Sequence, residues 1–72
     1  MNNDQLDYLD GIAAEARNGL DDRVGVLSTG ERLYVALAAN RLDLIPDYTI
    51  AQALARLDDS VTEQLIARWR FA

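Results

Sequence analysis

Side chains that perform most enzyme chemistry are scarce in this chain of 72 residues. It contains no histidine and no cysteine, so the common acid–base pairs, thiolate nucleophiles and zinc sites are excluded. The two serines are the remaining candidate nucleophiles, but Ser28 and Ser60 each precede a glutamate by three residues, which is the spacing of a helix-capping box. We therefore expect both serines to cap helices, and we expect the protein not to be an enzyme.

Carboxylates are the side chains left that could hold a metal ion. The adjacent pairs Asp21-Asp22 and Asp58-Asp59 are the densest clusters, but the side chains of neighbouring residues diverge, and neither pair has the spacing of a calcium-binding loop. Gly25 and Gly30 are isolated and no lysine follows them, so no phosphate-binding loop is present. We expect neither a metal site nor a cofactor.

Acidic residues are concentrated at the start of the chain. Residues 1–22 contain six acidic residues and one arginine, whereas residues 23–72 contain six of each. The formal net charge of −5 therefore lies entirely in the first 22 residues. This position indicates that the negative charge forms one surface and is not spread evenly over the protein.

The first helix and its exit carry this charge. The acidic residues are predicted to project away from the apolar stripe of that helix or to follow its end: Asp7, Asp10, Asp21 and Asp22. We predict that they form an anionic surface that binds a basic groove of another protein by imitating the charge spacing of nucleic acid. The alternative is that they interact with the helix dipole and keep a small protein soluble.

The longest apolar run, from Leu33 to Ala39, indicates the central element of the fold. Ser28 and Glu31 form a capping box just before it, so a helix is predicted over about residues 29–40. Apolar residues occur on every side of this helix. We therefore expect it to be covered all round, with Leu37 in the core.

The first of three surrounding helices is predicted over about residues 4–17. Asn3 or Asp4 would cap its start, and Gly19 tolerates the positive φ that commonly ends a helix. Its apolar residues recur every three or four positions and predict an inward face: Leu6, Leu9, Ile12, Ala13 and Ala16.

The other two helices are predicted over about residues 50–57 and 61–70. They begin at further capping boxes, formed by Thr49 with Gln52 and by Ser60 with Glu63. Their predicted inward residues are Ile50, Ala53, Leu54 and Leu57 in one, and Val61, Leu65, Ile66 and Trp69 in the other. The sequence thus predicts an all-α fold, a compact bundle of four short helices forming a single domain over residues 1–72.

The two connectors are predicted to be irregular. The segment after the first helix is expected to be extended and to lay Val24 or Leu27 on the core, because a lone short strand would have no partner. Residues 41–48 are expected to form a turn, because Pro46 disfavours the helical conformation in the residue before it.

The apolar central helix also predicts a contact with another molecule. Three short helices can hardly cover a helix that is apolar on every side, so we expect a homodimer or a required partner. Tyr8, Tyr34 and Trp69 are the expected contact residues, because Tyr and Trp are enriched at interfaces. The alternative, equally weighted for Trp69, is that they complete the core of the monomer.

The pair of helices between residues 49 and 70 supports one alternative function, a helix-turn-helix DNA-binding regulator. Arg56, Arg68 and Arg70 are the only basic residues there, which is too few to offset an acidic domain whose binding would depend on neutralising phosphates. Nucleic acid is therefore not the expected partner. A structural or self-assembling protein is a further alternative.

Two segments carry a resemblance to known proteins. Ser28-Thr29-Gly30-Glu31-Arg32-Leu33-Tyr34-Val35-Ala36-Leu37-Ala38-Ala39-Asn40-Arg41 and Tyr48-Thr49-Ile50-Ala51-Gln52-Ala53-Leu54 resemble small uncharacterised acidic phage and prophage proteins. That class includes inhibitors of host defence such as anti-CRISPR proteins. The resemblance implies a phage-encoded inhibitor or regulator of a host protein, and it assigns no functional residue.

The chain is also expected to be cytoplasmic in a bacterial host cell. Asn2, Asn3 and Asp4 stand where a signal peptide would have basic residues, and no apolar segment follows them. The central apolar run is too short to span a bilayer, so we expect no membrane association.

Overall fold

The computed structural model describes residues 1–72 and contains helices and turns without a strand. The four α-helices are α1 (Asn3–Arg17), α2 (Thr29–Ala38), α3 (Ile50–Arg56) and α4 (Asp59–Trp69). Single 3-10 turns occupy Val24–Val26 and Leu42–Leu44 in the connectors. The predicted all-α bundle of four short helices is confirmed.

Two of the predicted capping boxes form as expected. The Ser28 hydroxyl accepts from the Glu31 N–H, while the Glu31 carboxylate accepts from the Ser28 N–H at 2.9 Å. Thr49 and Gln52 make the same reciprocal pair at the start of α3. These local contacts fix where α2 and α3 begin, because each box gives acceptors to two backbone N–H groups.

The starts of α1 and α4 differ from the prediction by one to two residues. The Asn2 side chain, rather than Asn3 or Asp4, caps α1 by accepting from the Gln5 N–H. Asp58 caps α4 by accepting from the Val61 N–H at 2.9 Å, so the predicted box of Ser60 with Glu63 is wrong. Aspartate caps as well as serine does, and using Asp58 adds residues to a short helix.

The first two helices, α1 and α2, each end in a Schellman motif, in which one residue adopts positive φ. Gly19 has φ 83° after α1, and its N–H and that of Leu20 donate to carbonyls of the last turn of the helix. Asn40 has φ 55° after α2, and the Arg41 N–H donates to the Ala36 carbonyl at 2.8 Å. The central helix therefore ends at Ala38, before the predicted residue 40.

α1 and α2 lie side by side and run in the same direction. Gln5 donates to Glu31 near their starts, and the Arg41 guanidinium donates to the Ala16 carbonyl at 2.7 Å near their ends. The connector between them must run back along α1, and Arg23 accordingly bonds Glu15.

The two connectors contribute apolar residues to the core. Val24 and Leu27 are both buried, as predicted, but Val24–Val26 is a 3-10 turn and not an extended segment. The turn satisfies its backbone groups internally, since the Leu27 N–H donates to the Val24 carbonyl. In residues 41–48 the predicted turn is present, with Ile45 buried.

The other elements of the same chain cover α2. Its buried residues are Leu33, Tyr34, Val35, Ala36 and Ala38, and α1, α3, α4 and the turn at Leu42–Leu44 all contact it. The premise that three short helices could not cover this helix is therefore wrong, although the homodimer itself stays a prediction. Leu37 is partly buried and packs against the core cluster, so it lies at the edge of the core and not within it as predicted.

Two residues predicted to face inward are instead exposed. Ile50, at the first position of α3, is 53% exposed, and Ile66 on α4 is 54% exposed. In α4 the buried stripe runs through Val61 and Leu65, and Ile66 lies one residue, or 100° around the helix, away from it. No helix is both long and apolar enough to cross a membrane.

Candidate functional site

Asp10 lies at the point where three helices meet. Its Oδ1 accepts from the Tyr34 hydroxyl of α2 at 2.6 Å and from the Trp69 indole N–H of α4 at 2.8 Å. Its Oδ2 accepts from the Arg68 guanidinium at 2.9 Å. We call these four residues the Asp10 junction. They join α1, α2 and α4 through one carboxylate.

The ionisation of the Asp10 junction follows from these contacts. Burial acts to raise the pKa of Asp10, but the hydrogen bonds from Tyr34, Trp69 and Arg68 outweigh it, so the pKa lies below its ordinary value. Burial, followed by the hydrogen bond to Asp10, raises the pKa of Tyr34 well above its usual range. Neither group titrates near neutral pH, so the junction is suited to holding helices together and not to proton transfer.

The other carboxylates predicted to form the anionic surface have mixed surroundings. Asp7 accepts from Arg68 at 2.6 Å, and Asp21 makes a two-pronged pair with Arg41 at 2.9 and 3.0 Å. Only Asp22 is exposed and without an arginine partner. Three of the four predicted surface acids are thus paired with arginines, which a helical wheel of α1 alone could not reveal.

The aromatic residues predicted at a contact differ in their exposure. Tyr34 is fully buried and completes the core of the monomer, so its predicted place at a contact surface is wrong. Tyr8 is 50% exposed, with the Arg23 guanidinium 5.5 Å from its ring centroid. Tyr8 therefore remains accessible to a partner.

Five exposed carboxylates make neither an ion pair nor a side-chain hydrogen bond, and we call them the free carboxylates. They are Asp4, Asp22, Asp47, Asp59 and Glu63. They come from α1, both connectors and α4, so the unpaired negative charge extends beyond the first 22 residues. The charge count along the sequence does not reveal this, because arginines after residue 22 pair with acidic residues of the first 22.

A second candidate surface is an open cleft where the ends of α1 and α2 meet α4. Its volume is about 420 Å³. We name it the Arg-flanked cleft, and its main residues are Arg17, Leu37, Leu65, Ile66, Trp69 and Arg70. The sequence does not indicate this cleft, because the helical patterns predict Leu37 and Ile66 inside the core, whereas the structure places them at the cleft.

The arginines of the DNA-binding alternative also include both ion-paired and unpaired side chains. Arg68 is held by Asp7 and Asp10, and the Arg56 guanidinium lies 6.0 Å from the ring centroid of Tyr48. The first turns of α4, which would enter the groove, carry Asp58, Asp59 and Glu63. Phosphates would be repelled there.

No cluster of three or more acidic side chains is arranged to hold a metal ion. The free carboxylates and the Arg-flanked cleft are two surfaces with groups available for binding. No family model, curated protein or solved structure matches this chain.

Proposed function

We propose that the protein is a non-catalytic inhibitor or regulator that binds another protein, and that it is phage-encoded and acts on a host protein with a basic surface. The resemblance of residues 28–41 and 48–54 to small acidic phage proteins supports the phage origin. The absence of histidine and cysteine supports binding over catalysis.

The five free carboxylates are the observation that carries this proposal. A carboxylate and the arginine bonded to it together present little net charge to a partner, because the opposite charges lie 2.6–3.0 Å apart. The free carboxylates have no such neighbour, in a chain with net charge −5. A field of one sign steers a partner of the opposite sign and speeds association.

The free carboxylates also revise which residues we expect a partner to contact. Asp22 remains from the predicted set, and Tyr8 on α1 remains accessible. Asp7 and Asp21 keep exposed oxygens and play a smaller part because of their arginines. Asp10 and Tyr34 act in the fold and would affect a partner only through it.

A triple variant tests the proposal: Asp22→Asn, Asp47→Asn and Glu63→Gln. None of these residues caps a helix or lies in its first turn. The matched control removes the same charge at arginine-paired positions, with Asp7→Asn, Asp21→Asn and Asp43→Asn. The tagged wild-type chain first captures host proteins from bacterial lysate by cross-linking, and the purified partner is then used to measure association rates.

We expect the captured partner to have a basic surface, and its association rate to fall in the triple variant and with added salt. The control should retain more of the rate. Equal rates in both variants would overturn the role of the free carboxylates, because both variants lose the same net charge. Binding insensitive to salt would overturn charge-based recognition. Enrichment of DNA in place of a protein would favour the alternative regulator.

A separate measurement tests the inhibitor class. The chain is expressed in bacteria whose CRISPR immunity targets a test phage, and the plating efficiency of that phage is measured. A rise in plating efficiency that the triple variant loses supports inhibition of host defence. An unchanged plating efficiency across several immune systems contradicts that class. It would leave regulation of a different host protein, which the capture experiment identifies.

A further inference from the structure

The charge of the Arg-flanked cleft is opposite to that of the protein as a whole. Acidic residues outnumber arginines by 12 to 7 in the chain, yet none of the 9 residues lining the cleft has an acidic side chain. Arg17 and Arg70 stand at its edges, and neither makes an ion pair. The charged side chains of the cleft are thus all positive, on a protein whose net charge is negative.

Both arginines are positioned with their polar groups unused. The Arg17 guanidinium lies 5.9 Å from the ring centroid of Trp69, and that of Arg70 lies 4.7 Å from the ring centroid of Phe71. Stacking on an aromatic ring orients a guanidinium and leaves its edge available to a carboxylate. Neither side chain donates a hydrogen bond within the protein, so both remain available to a ligand.

The floor of the cleft is apolar and only partly covered. Leu37 and Trp69 are half-buried, and Ile66 is 54% exposed. Phe71, next to Arg70, is 88% exposed. Trp and Arg side chains around an apolar centre are the composition that dominates binding energy at protein interfaces.

We propose that the Arg-flanked cleft is a docking site for a peptide segment of a partner protein that carries apolar side chains next to acidic ones. The apolar side chains would cover Leu37, Ile66 and the Trp69 ring, and the carboxylates would pair with Arg17 and Arg70. Charge complementarity selects an acidic segment. The open, shallow floor favours a protein segment over a small molecule, which pockets usually enclose. This site is distinct from the free carboxylates, which would attract a basic surface.

The chain itself supplies a reporter and two matched controls. Trp69 is the only tryptophan, so a ligand in the cleft should change the protein's tryptophan emission. Arg56 also lacks a carboxylate partner but lies away from the cleft, and it matches Arg17 for charge reversal. Ile50 is 53% exposed and matches Ile66 at 54%.

The experiment selects peptides from a random displayed library on the intact chain and measures their binding through Trp69 emission. We expect enriched peptides to combine large apolar residues with Asp or Glu. Arg17→Glu and Ile66→Glu should each weaken their binding roughly tenfold or more. The controls Arg56→Glu and Ile50→Glu should bind as the wild type does. Far-UV circular dichroism checks that each variant folds, and Arg17→Gln, which is milder, should give an intermediate loss.

Three results would overturn the proposal. They are enrichment of peptides with basic in place of acidic residues, binding to the cleft variants as tight as to the controls, and peptide binding that leaves Trp69 emission unchanged. A fourth result names another occupant: if sedimentation equilibrium shows a homodimer that Ile66→Glu dissociates and Ile50→Glu does not, a second copy fills the cleft. Charge removal at Asp22, Asp47 and Glu63 should leave peptide binding intact, which separates this site from the proposed anionic surface.

Discussion

Trp69 belongs to two regions that use similar residues in opposite ways. On one edge its indole N–H donates to Asp10 in the Asp10 junction. Its ring face lines the Arg-flanked cleft beneath Arg17. In the junction every polar side chain has a partner, whereas in the cleft neither arginine has one.

The difference shows that residue type alone does not decide the role of a charged side chain here. Arg68 bonds two carboxylates and closes the gap between α4 and α1, while Arg17 and Arg70 have no carboxylate within reach. A satisfied polar group in a partly buried site specifies the fold, because leaving it unpaired would cost free energy. An unsatisfied group at the surface costs little and remains available to a ligand.

The largest expected effect is the loss of the carboxylate at the centre of the junction. Asp10→Ala leaves the Tyr34 hydroxyl, the Trp69 N–H and one Arg68 contact without an acceptor, so we expect unfolding free energy to fall by about 3 kcal/mol. Asp22→Ala, at a free carboxylate, should change it by less than about 0.5 kcal/mol. Urea unfolding measures both. Equal values would mean that the junction contributes nothing beyond an ordinary surface charge.

A smaller effect is expected when the junction keeps its shape and loses only its charge. Asp10→Asn can retain the Oδ1 bonds to Tyr34 and Trp69 but places an amide opposite Arg68, so we expect a loss of about 1–2 kcal/mol at neutral pH. Because the pKa of Asp10 is lowered in the folded protein, its ionised form stabilises the fold above about pH 4, and this contribution is lost as the pH falls through the folded pKa.

The pH dependence supplies the check on this second prediction. The difference in unfolding free energy between the wild type and Asp10→Asn should narrow as the pH falls from neutral to below about 4. Glu31, Asp43 and Asp58 also have lowered pKa values, but they are common to both proteins and cancel in the difference. A difference that stays constant with pH would show that the Asp10 charge is not coupled to folding.

The four helices could be predicted from sequence because their signals are local. Ser28 lies within one helical turn of Glu31, and Thr49 within one turn of Gln52. The short chain inside each pair therefore leaves its two residues few alternative arrangements. The cap at Asp58 could not be predicted, because Asp58 and Ser60 are both residue types that cap helices well. Only the hydrogen bond from the Val61 N–H to Asp58 shows which of them caps α4. Local patterns therefore fix element type well and element ends less well.

The surroundings of the acidic residues could not be predicted in the same way. Asp10 and Arg68 are separated by 58 positions, and Asp21 and Arg41 by 20, so their pairing depends on how the helices pack. A tyrosine such as Tyr34 is compatible with a position either at an interface or in the core. Its burial depends on the packing of α1, which places Asp10 beside the Tyr34 hydroxyl.

A third, smaller effect distinguishes the floor of the cleft from the core beneath it. Leu37→Ala should reduce unfolding free energy by about 1 kcal/mol, because the side chain is already partly exposed at the edge of the core. Leu33→Ala, one turn earlier and fully buried, should lose about 3 kcal/mol. Thermal and urea unfolding compare the two. A Leu37→Ala loss as large as that of Leu33→Ala would place Leu37 in the core and remove the floor of the proposed docking site.

The smallest expected effect compares arginines on the two sides of Trp69. Arg17→Ala should lower unfolding free energy by only about 0.5 kcal/mol, the scale of an exposed cation–π contact. Arg68→Ala should lower it by about 2 kcal/mol, because it leaves Asp10 and Asp7 without their ion-pair partner. Arg17→Ala should also alter Trp69 emission, since it uncovers the ring. If Arg17→Ala instead destabilised the protein as much as Arg68→Ala, Arg17 would belong to the framework of the fold, and its guanidinium would not be free to meet an acidic partner.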